Sequence, residues 1–500
     1  MLRFAVFDDA GPATEWLLLH AHLLGPDDVG LEGEVTFEDG HICCQRRGSG
    51  AFALGLQYDA GAAGVLMLQT CLLPDSDRAY VLSHELARHR IKMFLAKCEE
   101  WQMFELSNDH PAMVEWERAR QLFTLGLNAR DRVEKDRFGR ESIAHAIDAT
   151  ERLALAHAEV LLHRRYATRP ASGTAMGARI STKRDPQPFS DLLAREFDVL
   201  YVPLPWRELE PAETQYDWGP TDRWLAFAQQ NKRPVIAGPL LDFSPEALPD
   251  WMHVWQHDYD TCRNMVYDHV ERVVMRYGNV VSIWSIAAGL NVNDNFEFTA
   301  DQMLDLTRMA SLLVREKLRR SKIMLEIVCP FGEFVTRQRH AMPTMQYIDR
   351  VAQAGIKIDC YGLQLPFGDR RGLPARDLMQ ISNLLDRFFM LELPVLITRL
   401  GVPSAVGTGE SGYWQQPWSP EVQANFIKKM LGIALSKPHV ESVLWAELYD
   451  HAANHVPAIG VIDAEGRKKP ALQAMIDVRR RLRKPLGPLK LPMRGAVRAS

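Results

Sequence analysis

FDVLYVPL (197–204), PVIAGPLL (234–241), VSIWSIAAGL (281–290), KIMLEIVCPF (322–331), KIDCYGLQLPF (357–367), PVLITRLGV (394–402) and VESVLWAELYD (440–450) are seven short apolar runs, each bounded by polar or turn-forming residues. Between them lie stretches such as TDRWLAFAQQN, TCRNMVYDHVERVVMRYG, ADQMLDLTRMASLLVREKL, ARDLMQISNLLDRFFMLE and SPEVQANFIKKMLGIALS, with apolar residues at helical spacing. Strands near-continuously apolar and alternating with helices belong in a parallel sheet covered on its faces. The expected class is therefore α/β, and the number of units favours a (β/α)8 barrel. An open doubly wound sheet is the alternative, but no glycine-rich phosphate turn follows the first of these strands.

The flanks read differently. Residues 1–105 carry short apolar runs broken by DDAGP, GPDDVG, EDG and PDSD, the rhythm of a β-rich, sandwich-like domain, with HELARHRIKMFLAKCEEW (84–101) as a helix at its end. Residues 106–185 form a helical connector: WERARQLFTLGLNARD and SIAHAIDATERLALAHAEVLLHRRYA have helical periodicity, and ATRPASGTAM (167–176) reads as a linker. The barrel is expected over 186–478. A basic tail, 479–500, holds eight Lys or Arg and no acid, and reads as a solvated helix end or a polyanion-adsorbing segment.

Composition narrows the classes. The chain has 500 residues, 47% hydrophobic and 24% charged, which excludes a disordered or fibrous protein. A net charge of −4 gives no reason to expect nucleic-acid binding. No apolar run is long enough for a transmembrane helix, and the start MLRFAVFDDAGPATEW lacks the pattern of a secretion signal, so a cytoplasmic location is expected. The seven cysteines show no CxxC and no zinc-ligand spacing. His451 and His455 stand four apart without a convincing third ligand, and the Asn/Asp-rich loop 289–299 lacks calcium-loop spacing. No metal and no cofactor are expected.

Several strand ends carry a further signal. WRELEPAETQYDW (206–218), RPVIAGPLLDFSPEALPDWM (233–252), IDCYGLQLPF (358–367), VLITRLGV (395–402), VLWAELYD (443–450) and GVIDAEGRKKPAL (460–472) occur in an order that resembles glycoside hydrolase family 10, the xylanases. The resemblance spans about 190–475 and implies a barrel with a glycan-binding cleft at the C-terminal ends of its strands. It also implies that Trp206, Gln364 and Trp445 occupy family cleft positions. An indole face stacks on a pyranose, and an amide bridges its hydroxyls.

The same resemblance places substitutions where the family runs its chemistry. WSIAAGL puts Gly289 at the family's acid/base glutamate and Ala288 at the asparagine before it; ITRLG puts Arg399 at the nucleophile. Pro239 and Pro366 stand at histidine positions, Tyr201 and Val202 at a Glu-Asn pair, and Pro205 at a lysine. Retaining hydrolysis needs two carboxyl groups about 5–5.5 Å apart. Glycine and arginine supply neither, and a guanidinium opposes an oxocarbenium-like transition state.

Three readings stay open: a non-catalytic protein binding a β-linked glycan or a glycosylated partner, a glycoside hydrolase or transglycosidase with relocated carboxylates, and a structural scaffold. Glu447 and Glu326 are the foremost relocated candidates, with Asp242 and Asp450 nearby. Because a buried arginine needs a partner, one of the two glutamates is expected to pair with Arg399. The loop GTGESGYWQQPWSPE (407–421) offers Trp414 and Trp418 as a stacking platform over the barrel mouth. The sandwich-like domain is a candidate carbohydrate-binding module.

Overall fold

The computed structural model describes residues 1–500 except 47, 169–174, 369–372, 407–410, 452–453, 455, 490 and 492–500. His455, the middle of the expected linker and most of the basic tail's end therefore lie outside the described residues.

Eight parallel strands close into a barrel in the order expected for (β/α)8 topology. They are Ala175–Arg179, Val199–Pro203, Val235–Gly238 with its extension Leu241–Asp242, Ile283–Ala288, Lys322–Ile327, Cys360–Pro366, Val395–Gly401 and Val440–Trp445. Strand one pairs in parallel with both strand two and strand eight, and strand three pairs with strand four, so no edge remains. Strand one corrects the sequence reading. AMGAR lies in the segment taken for a linker, and the barrel begins near 175 rather than 186. It has no β-branched or aromatic residue; its pairing comes from two neighbours that are themselves strong strand formers.

The period-two alternation of a strand sorts the interior into layers. Val199, Ile236, Met324, Cys360, Leu396 and Leu444 form an apolar plug inside the barrel. Two residues further along their strands, Tyr201, Glu326 and Thr398 make the next layer, and it is polar. Helices on the outside start at legible signals: Asp377 caps Leu378–Phe389 in a reciprocal box with Gln380, Thr299 does the same with Gln302, and Ser419 precedes Pro420 at the first helical position.

Beside a two-stranded ribbon, Phe7–Asp8 with Gly11–Pro12, the N-terminal 105 residues form two larger sheets. In one, Leu2–Ala5 lies antiparallel to His41–Arg46, which pairs with Gly33–Glu38, and parallel to Tyr80–Val81. The other contains Gly30–Leu31, His22–Leu24, Ala53–Asp59 and Gly64–Gln69. Its fifth strand is Tyr413–Trp414, from the loop after barrel strand seven, paired antiparallel with Gly64 and Val65. Helices Leu82–Glu100, Pro111–Asn128 and Arg132–Tyr166 follow. All of this shares one hydrophobic core with the barrel.

Polar groups fasten the seam. Arg90, 2% exposed, pairs with Asp377, 0% exposed, which is also the cap of a barrel helix. Glu151 on the long connector helix accepts from the Leu378 amide at 3.0 Å and from the Trp414 indole at 2.6 Å. Burial and the neighbouring Asp377 push the Glu151 carboxyl up to about 7. The basic run is not free: Arg479 and Arg483 pair with Asp198, and Arg481 with Glu159.

Two outcomes follow for stability. Arg90→Ala leaves Asp377 buried without its cation and should cost about 3–5 kcal/mol, read as a lowered denaturation midpoint. The folded chain holds the Glu151 proton more tightly than an unfolded chain does. Stability should therefore fall as pH rises from about 4.5 to about 7, by at most about 1.4 kcal/mol per pH unit, and Glu151→Gln should remove that slope.

Candidate functional site

A cleft of about 700 Å³ opens at the C-terminal ends of the barrel strands. Every strand contributes to it: Arg179 to Lys183 after strand one, Pro203 to Pro205, Pro239 and Asp242, Ala288 and Gly289, Val328 and Cys329, Gln364 and Pro366, Arg399, and finally Glu447 and His451. This is where a (β/α)8 barrel places its functional groups.

Beneath the cleft sits Glu326, 1% exposed. Its Oε2 accepts from the Tyr201 hydroxyl at 2.7 Å and the Ser285 hydroxyl at 2.8 Å. Its Oε1 accepts from the Gln364 amide at 3.1 Å and from the Thr398 hydroxyl. Gly362 makes room for it: a Cβ there would lie 3.1 Å from the Glu326 Cγ and 2.9 Å from the Met324 sulfur. Four neutral donors thus occupy this carboxylate, which holds strands two, four, six and seven to strand five. The expected bridge to Arg399 is not what secures it, and it has no face turned to a substrate. Tyr201 lies between Glu326 and the Arg179 guanidinium, which stands 4.5 Å above the Tyr201 ring centre. Burial opposes the charge of Arg179, but Tyr201, Glu326, Glu447 and Asp242 together hold it above the usual range.

Glu447 lines the cleft, and its Oε2 lies 3.8 Å from His451 Nε2. Asp242 accepts from the Ser244 amide at 2.9 Å; burial pushes its carboxyl up, against those hydrogen bonds and Arg179. Asp294 is likewise pushed up by burial. Asp450 is a structural group: it pairs with Lys469 at 2.5 Å and accepts from the Gly460 amide. Among the described residues no three His, Cys, Asp or Glu are grouped to hold a metal ion.

At the end of strand four, Gly289 has φ +66°, and a Cβ would meet Val328 Cγ2 at 2.8 Å. A side chain at 289 is therefore disfavoured by both backbone and space. Arg399 lines the opposite wall at strand seven, in register with Gln364.

The expected tryptophans stand elsewhere. Trp206 is 5% exposed, stacked on His269 at 4.2 Å and bonded to Glu210 at 2.7 Å. Trp445 is buried with its indole N–H on the Ile459 carbonyl at 2.8 Å. Trp414 belongs to the N-terminal sheet, and Trp418 packs on Phe426 with its N–H on the Gly412 carbonyl. None of the four lines the cleft; among its described lining residues the one phenyl or indole ring is Phe334. The stacking platform read from 407–421 is thus replaced by a seam between the barrel and the N-terminal sheet. Of the residues named from sequence, Gln364, Gly289, Arg399, Glu447 and Asp242 meet in the cleft, together with Ala288, Pro205, Pro239 and Pro366. Sequence reading missed Arg179, because the strand that carries it has no strand-like composition.

Glu326→Ala should lower stability by about 3 kcal/mol or more, since it orphans four buried donors. Glu447→Gln, at the cleft wall, should leave the denaturation midpoint nearly unchanged.

The chain is similar to known xylanases. Residues 165–311 match the model of glycosyl hydrolase family 10. Endo-1,4-beta-xylanase B of Thermotoga neapolitana is 22% identical over 275 residues, 54% of this chain and 75% of that protein. Endo-1,4-beta-xylanase 3 of Hypocrea jecorina is 32% identical over 83 residues, 17% of this chain and 23% of the relative. Among solved structures, xylanase 10B from Thermotoga maritima superposes with a TM-score of 0.47 at 18% identity, covering 65% of this chain and 98% of its own. A family 10 protein from Paenibacillus barcinonensis gives 0.49 at 19% identity, with 61% and 95% covered. The C-terminal part of this chain is a xylanase-like barrel resembling that of glycosyl hydrolase family 10.

Proposed function

We propose that the cleft binds a β-linked glycan, free or on a glycosylated partner, without the two-glutamate hydrolysis of xylanases. The observation that carries this reading is the pair Gly289 and Arg399 at the ends of strands four and seven. Each lines the cleft where the family resemblance calls for a carboxyl group, and the positive φ and close Val328 methyl at 289 disfavour one there. Recognition then rests on hydrogen bonds to sugar hydroxyls from Gln364, Arg179, Arg399 and Glu447 rather than on aromatic stacking. Such a site is selective for hydroxyl placement, because each unmatched buried polar group costs about 1–3 kcal/mol.

A second reading draws on one specific observation. Asp242, with its carboxyl pushed up by burial, and Glu447 both line the cleft. A carboxyl whose ionised form is disfavoured by burial is suited to donate a proton, and a second carboxylate can activate water in an inverting hydrolysis.

The test is incubation of purified protein with xylo-, cello- and manno-oligosaccharides, with products read by mass spectrometry and binding by calorimetry. The expected result is binding of at least one series, weakened about fivefold or more in Gln364→Ala, with no cleavage. Cleavage abolished by Glu447→Gln and by Asp242→Asn would replace the binding reading with the inverting one. Absence of binding and cleavage across the panel would remove both.

A further inference from the structure

A second cavity, about 380 Å³, lies between the N-terminal sheet and the barrel, linked to the cleft by the ion pair of its Arg376 with the cleft-lining Glu333. Its walls come from His22 and Leu24, from Thr70 and Cys71, from helix Leu82–Glu100 and from barrel helix Leu378–Phe389. Cavities of this size at domain junctions are common sites for small ligands.

The cavity is lined by charges of both signs. The acids that line it, Asp27, Asp28 and Glu100, are all exposed and stand at the rim. Two of them are engaged: Asp28 accepts from Gln69 at 2.6 Å, and Glu100 pairs with Lys97 at 2.8 Å. Deeper in lies a buried base with a buried acid beside it. Arg376, 7% exposed, lies over the Phe331 ring at 4.3 Å and pairs with Glu333, while its Nε has no hydrogen-bond partner. His22 is buried beside it, and His89 and Lys92 face the cavity from the helix. No carboxylate among the described residues lies within ion-pair distance of Lys92.

The basic groups respond to one another. Burial, with Arg90 adding to it and Asp377 and Asp28 opposing it, pushes the Arg376 guanidinium down to about 9. Burial, with help from Arg376 and Arg337, pushes His22 down to about 4. His89 is pushed to about 3 by burial together with Arg90 and Lys92. Three bases from two domains are thus held towards neutrality chiefly by burial, with neighbouring positive charge adding to it and Asp377 opposing it at Arg376 and His89. Negative charge placed among them would relieve all three at once.

We propose that this inter-domain cavity is a binding site for a small phosphate-bearing anion, held by Arg376 and Lys92, with the Phe331 side and the Asn383 amide receiving the rest of the molecule. A guanidinium and an ammonium are the usual donors for phosphate oxygens. The cavity volume suits a compact metabolite rather than a polymer.

The experiment is thermal unfolding of the full chain in phosphate-free buffer, titrated with inorganic phosphate and with pyrophosphate, against sodium chloride at matched ionic strength. Pyrophosphate should raise Tm in a saturable way, beyond the chloride control. Lys92→Gln and Arg376→Gln should each weaken that effect at least fivefold. Lys92 is an exposed helix residue, so its variant keeps the test decisive if Arg376→Gln does not fold. Arg179→Gln, in the barrel cleft, should leave the response intact. A shift no larger than that of chloride, a shift unchanged in Lys92→Gln, or one lost in Arg179→Gln would each overturn the proposal.

Discussion

A single buried carboxylate organises the upper half of the barrel. Glu326 is one layer, two residues along its strand, above an apolar plug, where continued alternation would place another aliphatic side chain. It instead draws hydroxyl or amide donors from four other strands. A charge at that depth is tolerated only when its lone pairs are filled. Filling them requires Tyr201, Ser285, Gln364 and Thr398 to point inward together, and Gly362 to stay without a side chain. The cleft floor inherits its shape from that requirement. Gln364 is aimed by its bond to Glu326, and Arg179 is positioned over the Tyr201 ring.

The cleft that results is chemically unlike a sugar-stacking groove. Its surface is a mixture of prolines, guanidinium groups and carboxyls, two of the latter driven towards their protonated forms by burial. The large aromatic side chains have been spent on packing: Trp206 inside a cluster with His269 and Trp251, Trp445 under the strand-eight loop, Trp414 and Trp418 at the domain seam. A barrel can keep its architecture through such changes because the layers below the rim carry its stability, while the strand ends carry its chemistry.

Much of the architecture was legible in the sequence. Seven of eight barrel strands are apolar runs bounded by turn residues, and the barrel helices begin at cap signals such as Asp377-x-x-Gln380 and Thr299-x-x-Gln302. Strand one was not legible, because Ala175–Arg179 is made of small residues and an arginine beside a Pro/Gly/Ser stretch; its conformation is imposed by the neighbours it closes onto. At the site, Gln364, Gly289, Arg399 and Glu447 were found through their places on the strand ends. The tryptophans misled because an indole is equally suited to a sugar face and to a core, and sequence does not reveal which way it turns. Glu326 misled for a related reason. Its strand position was right for a catalytic group, but the hydroxyls that enclose it come from strands far apart in the chain.

The pairing of Tyr413–Trp414 with Gly64 and Val65 joins segments separated by about 350 residues of chain. Before that partner arrives, Gly64–Gln69 is the bare border of its sheet, with unpaired backbone groups of the kind that recruit other chains. At about 5–20 residues per second of synthesis, the interval is on the order of 20–70 seconds. During that time the N-terminal segment emerges from the ribosome with one seat in its sheet vacant. The nascent protein thus has a built-in order of completion, in which its first domain is finished by nearly its last loop.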